Sequence, residues 1–437
     1  MSFIFFQNLY GLAQMSKLPI SNLEWLQPEI ASSIDWKNID TELSIGYILE
    51  VDLIYPKNLH LKHDNFPLAP ENIRINFENL SPYAKRSLVE CGNSNVYSDV
   101  KLSATFHDRL NYVLHFKNLK LYLNLGMKLK RIHRVLSFKQ ENFIAPFIEK
   151  CTLNRQASKT KFEQDQFKKV ANSTYGKTIQ NVRNYLIVKL HVKPKSLLKA
   201  VANPTFKSFS ILDENLVQTN HFTPVILHDK PIFIGFTILE LSKEFMYDFY
   251  YNKMVKNIQS KIDLGFSDTD SFLFKVNKSK SFNAHIKQYM DFSNFNPTHE
   301  NFSEDNKSQL GFFKNELGGK YKCLEFVGLR AKCYSLNLMN TKDESLSEKK
   351  TCKGLGRVAI QNKLKFKHYK DSLFNRKVFR FDYNSIRSVK QNVRTVRLKK
   401  KALSHFDSKR WLFDCGIHSV PYGSYIIEQF YNACPKC

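Results

Sequence analysis

Residues 261–276, KIDLGFSDTDSFLFKV, constrain this chain more than any other stretch. Two short runs rich in apolar and aromatic residues, 262–266 and 272–276, flank Ser-Asp-Thr-Asp-Ser, which supplies the small polar residues that a tight turn prefers. The pattern predicts a β-hairpin carrying Asp268 and Asp270 at its tip. Two carboxylates one residue apart on a bent backbone repel and raise each other's pKa unless a cation sits between or beside them. Mg²⁺ suits the position, because it takes one or two carboxylates and fills its remaining positions with water and substrate phosphates. That is the layout of two-metal phosphoryl transfer. The same residues also make an ordinary polar turn, so the hairpin alone does not decide the function.

A second stretch upstream, residues 162–180, FEQDQFKKVANSTYGKTIQ, has a helical period. Phe167, Val170, Ala171 and Thr174 follow the i, i+3, i+4, i+7 rule of a buried face, and Lys168, Asn172 and Tyr175 line another. That second face offers a cation for a triphosphate, an amide, and a ring that can abut a base pair and sugar. A solvated lysine and a half-buried tyrosine would give the same spacing.

Together and in this order, the two stretches resemble the signatures of family B DNA polymerases. Residues 168–176 match K-x-x-x-N-S-x-Y-G at every defined position, residues 267–271 match the motif with the core D-T-D-S, and GLRAKCYS at 328–335 carries the K-x-Y element as Lys332 and Tyr334. The passages LYGLAQMSKLPISNLEWL, GYILEVDLIYPKNLH, LKLYLNLGMKLKRIHRVLSF and ALSHFDSKRWLFDCGIHSVPYGSY are similar to the protein-primed branch, particularly the polymerases of Maverick/Polinton-type mobile elements and related viruses. The resemblance runs from about Asn8 to Glu428.

The resemblance implies an α+β right-hand architecture of palm, fingers and thumb. It assigns residues 1–136 to an N-terminal palm part with a protein-primed-type insertion, 137–183 to helical-hairpin fingers, 184–340 to the palm with the catalytic hairpin, and 341–437 to a basic thumb. The implied activity is template-directed transfer of a nucleotide from a dNTP to a primer 3′-hydroxyl. Asp268 and Asp270 would hold two Mg²⁺ ions, with Mn²⁺ as a substitute. Tyr10 would exclude a ribose 2′-hydroxyl, Lys168 and Arg155 would bind phosphates, and Asn172 and Tyr175 would border the nascent pair. Lys332 and Tyr334 would fix the primer end. The implied partners are primer-template DNA, dNTP and a terminal priming protein. The proofreading exonuclease that precedes the palm in this family has no room in the chain.

One departure matters most. The first motif of the family, D-x-x-x-L-Y, ends here at Leu9-Tyr10, and its Asp should stand five positions before the tyrosine, where the chain has Phe5. A phenyl ring neither ligates Mg²⁺ nor carries charge, so the metal site would keep one wall. Either the reading frame starts within the motif of a longer gene, or the copy has decayed. The competing function is a catalytically dead, polymerase-derived protein that only holds DNA. Asp52, ahead of Tyr55-Pro56, is a candidate substitute ligand at the wrong spacing, with a structural strand-end acid as its other reading. Asp40 and Glu42 resemble an exonuclease D-x-E but follow the first motif, and read as a loop.

Composition agrees independently. Lys and Arg number 66 against 40 Asp and Glu, a formal charge of +26 that suits a polyanion. Residues 349–410 interleave cations with aromatic rings, as duplex-backbone binding requires. Eight cysteines at irregular spacing, with no secretory signal, favour a reduced cytosolic or nuclear setting over a disulfide framework. The apolar burst at 3–6 is too short for a signal core or membrane span, which predicts a protein that is neither secreted nor membrane-embedded. Residues 61–110 and 277–308 read as irregular connections. Two helices are expected at 137–154 and 156–182, the first bent by Pro146, and one long helix at 233–257 beneath the hairpin. Cys434-Pro-Lys-Cys437 is half of a zinc knuckle and reads as a tail, with Cys415 or His418 as the residues that would have to join it.

Overall fold

Three phenylalanines and an isoleucine in succession favour a pleated, half-buried strand, and Ser2–Phe6 forms one at the centre of a five-stranded sheet. The computed structural model describes residues 2–92, 97–258, 262–276, 285–389, 392–431 and 433–437. The sheet runs Ile262–Asp268, Ser271–Val276, Ser2–Phe6, Phe313–Asn315, Met290–Asp291. Its first two strands are the expected acidic hairpin. Alternation along Ser2–Phe6 sends Ile4 and Phe6 into the main core with Phe272, Phe274 and Phe313, and Phe3 into a second cluster with Leu273 and Leu336.

The helix beneath the hairpin runs Ile232–Asp248 and continues as a π-helical stretch, Phe249–Val255. The extra residue per turn re-aims its rings. Phe249 lies 4.1 Å from Phe313 and Tyr250 5.9 Å from Phe272, centroid to centroid. Each such buried ring contributes about 1.5–3 kcal/mol of burial, so the hairpin is anchored from below by aromatic packing.

A four-stranded sheet, Leu18–Trp25, Lys128–Glu141, Ile45–Ile54, Arg109–His115, packs alongside with the helix Phe116–Asn124. Several expectations change here. Residues 61–110 are more regular than irregular connections: Glu71–Asn76 pairs with Ser98–Ser103, and Pro82 opens the helix Pro82–Glu90 behind the N-cap Ser81. Proline there marks a helix start, where its missing N–H costs nothing. Pro146 likewise begins the helix Ala145–Ala157 and does not bend it, while residues 137–141 belong to a strand. The partner helix, Lys161–Thr178, opens with a Thr160–Glu163 capping box.

Residues 186–222 hold a separate three-stranded sheet, ordered Leu186–His191, Leu216–Phe222, Phe206–Asp213, that shares no ladder with the hairpin. The interval 277–308 is not purely a surface loop: its part 277–284 lies outside the described residues, and Ile286, Met290, Asp291 and Phe295 are buried. Downstream, Tyr321–Arg330, Cys333–Asn340 and Leu346–Cys352 form a sheet, followed by a long two-stranded arm, Phe379–Val389 with Asn392–Leu403. No helix among the described residues is long and apolar enough to cross a membrane.

Candidate active site

The acidic hairpin turns at Thr269, whose φ of 56° is left-handed, and the Asp270 N–H donates to the Asp268 carbonyl at 2.6 Å. Hairpins of this length favour glycine where φ is positive, so a β-branched residue here is strained by roughly 1–3 kcal/mol. The Ser271 hydroxyl donates to the same Asp268 carbonyl at 3.1 Å, and the Thr269 hydroxyl donates to the Asp268 carboxylate at 3.2 Å. These bonds and the aromatic packing below hold the tip against its strain.

The strand Ser2–Phe6 lies directly beside that tip. Phe5 stands across from Ser271, and the Phe6 N–H donates to the Asp270 carbonyl at 2.6 Å. Phe5 therefore occupies a strand position beside the aspartates, where the sequence spacing puts the motif's missing acid. On its other side Phe5 faces Lys314, whose ammonium lies 3.3 Å from Asp291. Asp291 is an acid close by but already engaged. Its carboxylate accepts from Gln7, Ser293 and Ser308, and although burial alone would raise its pKa, these bonds hold it below the ordinary range.

Burial raises the Asp270 carboxyl above its usual pKa, the negative charges of Asp268 and Glu316 push the same way, and Lys168 opposes them. A carboxyl raised by desolvation and like charge stands where a cation is wanted. The hard oxygen donors of Asp268 and Asp270 suit a Mg²⁺-like ion in number and chemistry. Phe5 contributes no donor to such an ion. Asp268 meanwhile pairs with Lys332, Nζ to Oδ1 3.2 Å. Lys332 sits in a left-handed turn, φ 57°, between two antiparallel strands. Tyr334, two residues further on, stacks on Phe266 at 4.4 Å.

The residues expected to face a nucleotide arrive from two helices. Tyr10 is carried in the first turn of Leu9–Met15, whose N-cap Asn8 accepts the Gly11 N–H at 3.3 Å. A Cβ on Gly11 would fall 2.2 Å from the Asn8 amide, so glycine keeps the cap closed. Tyr10 stacks on Tyr175 of Lys161–Thr178 with centroids 4.8 Å apart and planes 11° apart. Burial and the nearby Asp270 push the Tyr10 hydroxyl up, and burial with Tyr10 pushes Tyr175 to about 12. Both phenols are therefore neutral hydrogen-bonding groups at neutral pH.

The structure thus brings together Tyr10, Lys168, Tyr175, Asp268, Asp270, Lys332 and Tyr334. Asn172 lies on the same helix, its amide oxygen buried with no hydrogen-bond partner among the described residues. Arg155 lies in the last turn of Ala145–Ala157 and makes no hydrogen bond or ion pair among the described residues. The expected buried face of Lys161–Thr178 is also thinner than its period suggests. Ala171 is buried, but Val170 is 38% exposed.

Glu316 is a neighbour that sequence reasoning missed. Its N–H donates to the Phe3 carbonyl at 2.9 Å and its carboxylate pairs with Lys349 at 3.0 Å. Nothing in the local sequence separates it from an ordinary turn acid ahead of Gly318 and Gly319. Asp52, the candidate substitute, lies on the four-stranded sheet instead. Its carboxylate accepts the Asn111 N–H at 2.9 Å and meets His133 Nε2 at 2.8 Å. Its structural reading is the one the fold supports. Asp40 and Glu42 lie in a loop, with Glu42 drawn to Lys17 and Lys117.

The two-stranded arm places Arg387 directly across from Arg394. Both are exposed and neither makes an ion pair among the described residues. Like charges directly opposite destabilise a ladder, and a polyanion lying along the arm would relieve them.

No family model and no curated protein matches the sequence. Among solved structures, Phi29 DNA polymerase complexed with primer-template DNA is similar over 92% of this chain and 57% of that chain, with a TM-score of 0.54 and 15% identity. Phi29 DNA polymerase complexed with primer-template DNA and incoming nucleotide substrates is similar over 92% and 58%, with a TM-score of 0.51 and 16% identity. The chain therefore spans a little over half the length of the polymerase it matches. At such identity the likeness shows the fold alone, a mixed α+β fold similar to that of Phi29 DNA polymerase.

Proposed function

We propose that this chain is the polymerase portion of a protein-primed family B DNA polymerase, of the type carried by Maverick/Polinton-like elements, and that Phe5 impairs its nucleotidyl transfer. The observation that carries the proposal is the pairing of Phe5 with Ser271 beside Asp270. In this reading a phenyl ring stands where the first motif supplies a carboxylate, beside the other residues that resemble the family's site.

In this reading Asp268 and Asp270 hold Mg²⁺. When bound, the ion lowers the pKa of the primer 3′-hydroxyl and stabilises the pyrophosphate leaving group. The chain's own residues do the rest. Lys168, on the exposed side of its helix, neutralises charge that grows on the phosphates in the transition state. The Tyr10–Tyr175 stack forms a rigid floor for the sugar of the incoming dNTP, leaving no room for a ribose 2′-hydroxyl. Asn172 borders the nascent pair. Lys332 and Tyr334 orient the primer end, and the arm with Arg387 and Arg394 grips the duplex backbone.

The second reading, a DNA-holding protein without chemistry, is favoured by the same Phe5. Primer extension on purified protein with Mg²⁺ and with Mn²⁺ separates them, with Phe5→Asp and Asp270→Ala run beside the unmodified chain. We expect little or no extension by the unmodified chain and clear extension by Phe5→Asp. Extension by the unmodified chain that is lost in Asp270→Ala would mean that Phe5 does not impair the site. DNA binding without extension in any version would support the DNA-holding reading.

A further inference from the structure

Far from the aspartates, four side chains with the chemistry of a soft-metal site converge. Cys415 and His418 lie in the turn between the short strands Trp411–Leu412 and Ser419–Val420, and Cys434 and Cys437 lie beyond the helix Tyr425–Phe430. One ligand atom from each lies within 4.8 Å of every other. His418 Nδ1 is 3.6 Å from Cys415 Sγ, 3.1 Å from Cys434 Sγ and 3.3 Å from Cys437 Sγ.

These distances are those of a coordination shell. With Zn–S near 2.3 Å and Zn–N near 2.0–2.1 Å, a tetrahedron has S···N edges of about 3.5 Å and S···S edges of about 3.8 Å. Hydrogen bonding does not account for the cluster, because one imidazole nitrogen carries at most one proton and cannot satisfy three thiols at once. Both halves also have the C-x₂-C/H spacing that structural zinc sites use.

The local backbone is shaped to present the ligands. Cys415 Sγ accepts the His418 N–H at 3.4 Å, and the Cys437 N–H donates to the Cys434 carbonyl at 3.2 Å, closing one tight turn in each half. Gly416 makes the first turn with φ 70°, and a Cβ there would fall 2.4 Å from the Tyr83 hydroxyl.

We propose that Cys415, His418, Cys434 and Cys437 bind one Zn²⁺ in a closed, four-ligand structural site that clasps residues 425–437 onto the body of the protein. Neighbouring bonds show what is clasped. Trp411 Nε1 donates to the Tyr431 carbonyl at 3.1 Å, and Arg410 and Lys436 both reach Asp64, at 2.9 and 3.7 Å. With four protein ligands the site keeps no open position, so it organises structure and is separate from the hard-ion chemistry of Asp268 and Asp270.

The test is the metal content of the full chain, purified under reduction with no added metal, by mass spectrometry of the elements. About one zinc per chain is expected for four-ligand occupancy. Exchange into Co²⁺ should give the thiolate charge-transfer and tetrahedral d–d bands of a sulfur-rich site. Cys434→Ser and Cys437→Ser should each lose most of the zinc, whereas Cys151→Ser, a thiol elsewhere in the fold, should keep it. The cobalt spectrum needs no variant, so the proposal stays testable if a substitution prevents folding. Absence of zinc with all thiols free, a disulfide within the cluster, or full zinc retention in both cluster variants would overturn it.

Discussion

Lys332 Nζ lies 3.2 Å from Asp268 Oδ1, so the residue expected at the primer end and one of the two acids expected on the metal share an ion pair. The pair competes with a cation for the same oxygens. Both partners are partly exposed, 51% and 34% on their side chains, which limits the pair to about 1 kcal/mol or less. Lys332→Met should therefore tighten Mn²⁺ binding by up to about fivefold, read by electron paramagnetic resonance titration. The same change should weaken binding of a primer-template, because a cation is lost from its path. Unchanged Mn²⁺ affinity would mean that the pair does not hold the carboxylate.

Asp270 gives a pH dependence with a definite sign. Burial raises its pKa in the folded protein, with Asp268 and Glu316 adding to the shift. The native state then holds the proton more tightly than the unfolded chain does. The carboxyl costs no stability below the ordinary carboxylate range and costs progressively more as pH rises through the folded pKa. In EDTA at neutral pH, Asp270→Asn should melt higher than the unmodified chain, and the advantage should vanish as pH falls below the ordinary carboxylate range. In Mn²⁺ the order should reverse, since only the carboxylate gains from the ion. A variant that melts lower in EDTA at every pH would show that favourable contacts, not burial, dominate at Asp270.

The arm offers a separate test of the nucleic-acid reading. Removing the facing cations in an Arg387→Gln, Arg394→Gln double variant should lower the salt slope of primer-template binding by about two, one unit per lost phosphate contact. Fluorescence anisotropy between about 50 and 200 mM salt reads this slope. The free protein should gain roughly 0.2–1 kcal/mol from relief of the facing charges. A slope that does not move would place the duplex elsewhere.

Legibility in the sequence followed the range of the interactions. The acidic hairpin was readable because apolar runs and turn residues lie within one short stretch, and the helix under it because its period repeats over five turns. That Phe5 falls beside Asp270 followed from motif spacing alone, and the strand register agrees. What escaped was set by distant chain. Glu316 reaches the site through a ladder bond to Phe3, and the Cys415–His418 turn meets Cys434 and Cys437 only once residues 419–433 have folded back. The start of the helix at 145–157 and the regularity within 61–110 were misread for a local reason: proline signals both breaks and starts, and only the helix that follows tells which.

Asp52 distinguishes a substitute metal ligand from a structural acid. The Asn111 N–H and the His133 ring both hold its carboxylate, and these bonds, the Asn111 one foremost, keep its pKa below the ordinary range. A depressed carboxyl contributes stability above its unfolded pKa and loses it as pH falls through the lower, folded value. Asp52→Asn should therefore melt below the unmodified chain at neutral pH, and the gap should close in acid. Mn²⁺ affinity and primer-template binding should stay unchanged, because the residue sits on the four-stranded sheet and not beside Asp270. In the Phe5→Asp background, extension should likewise survive Asp52→Asn. Loss of Mn²⁺ binding in a folded Asp52→Asn protein would instead mean that the two sheets move together on metal binding and that Asp52 completes the site.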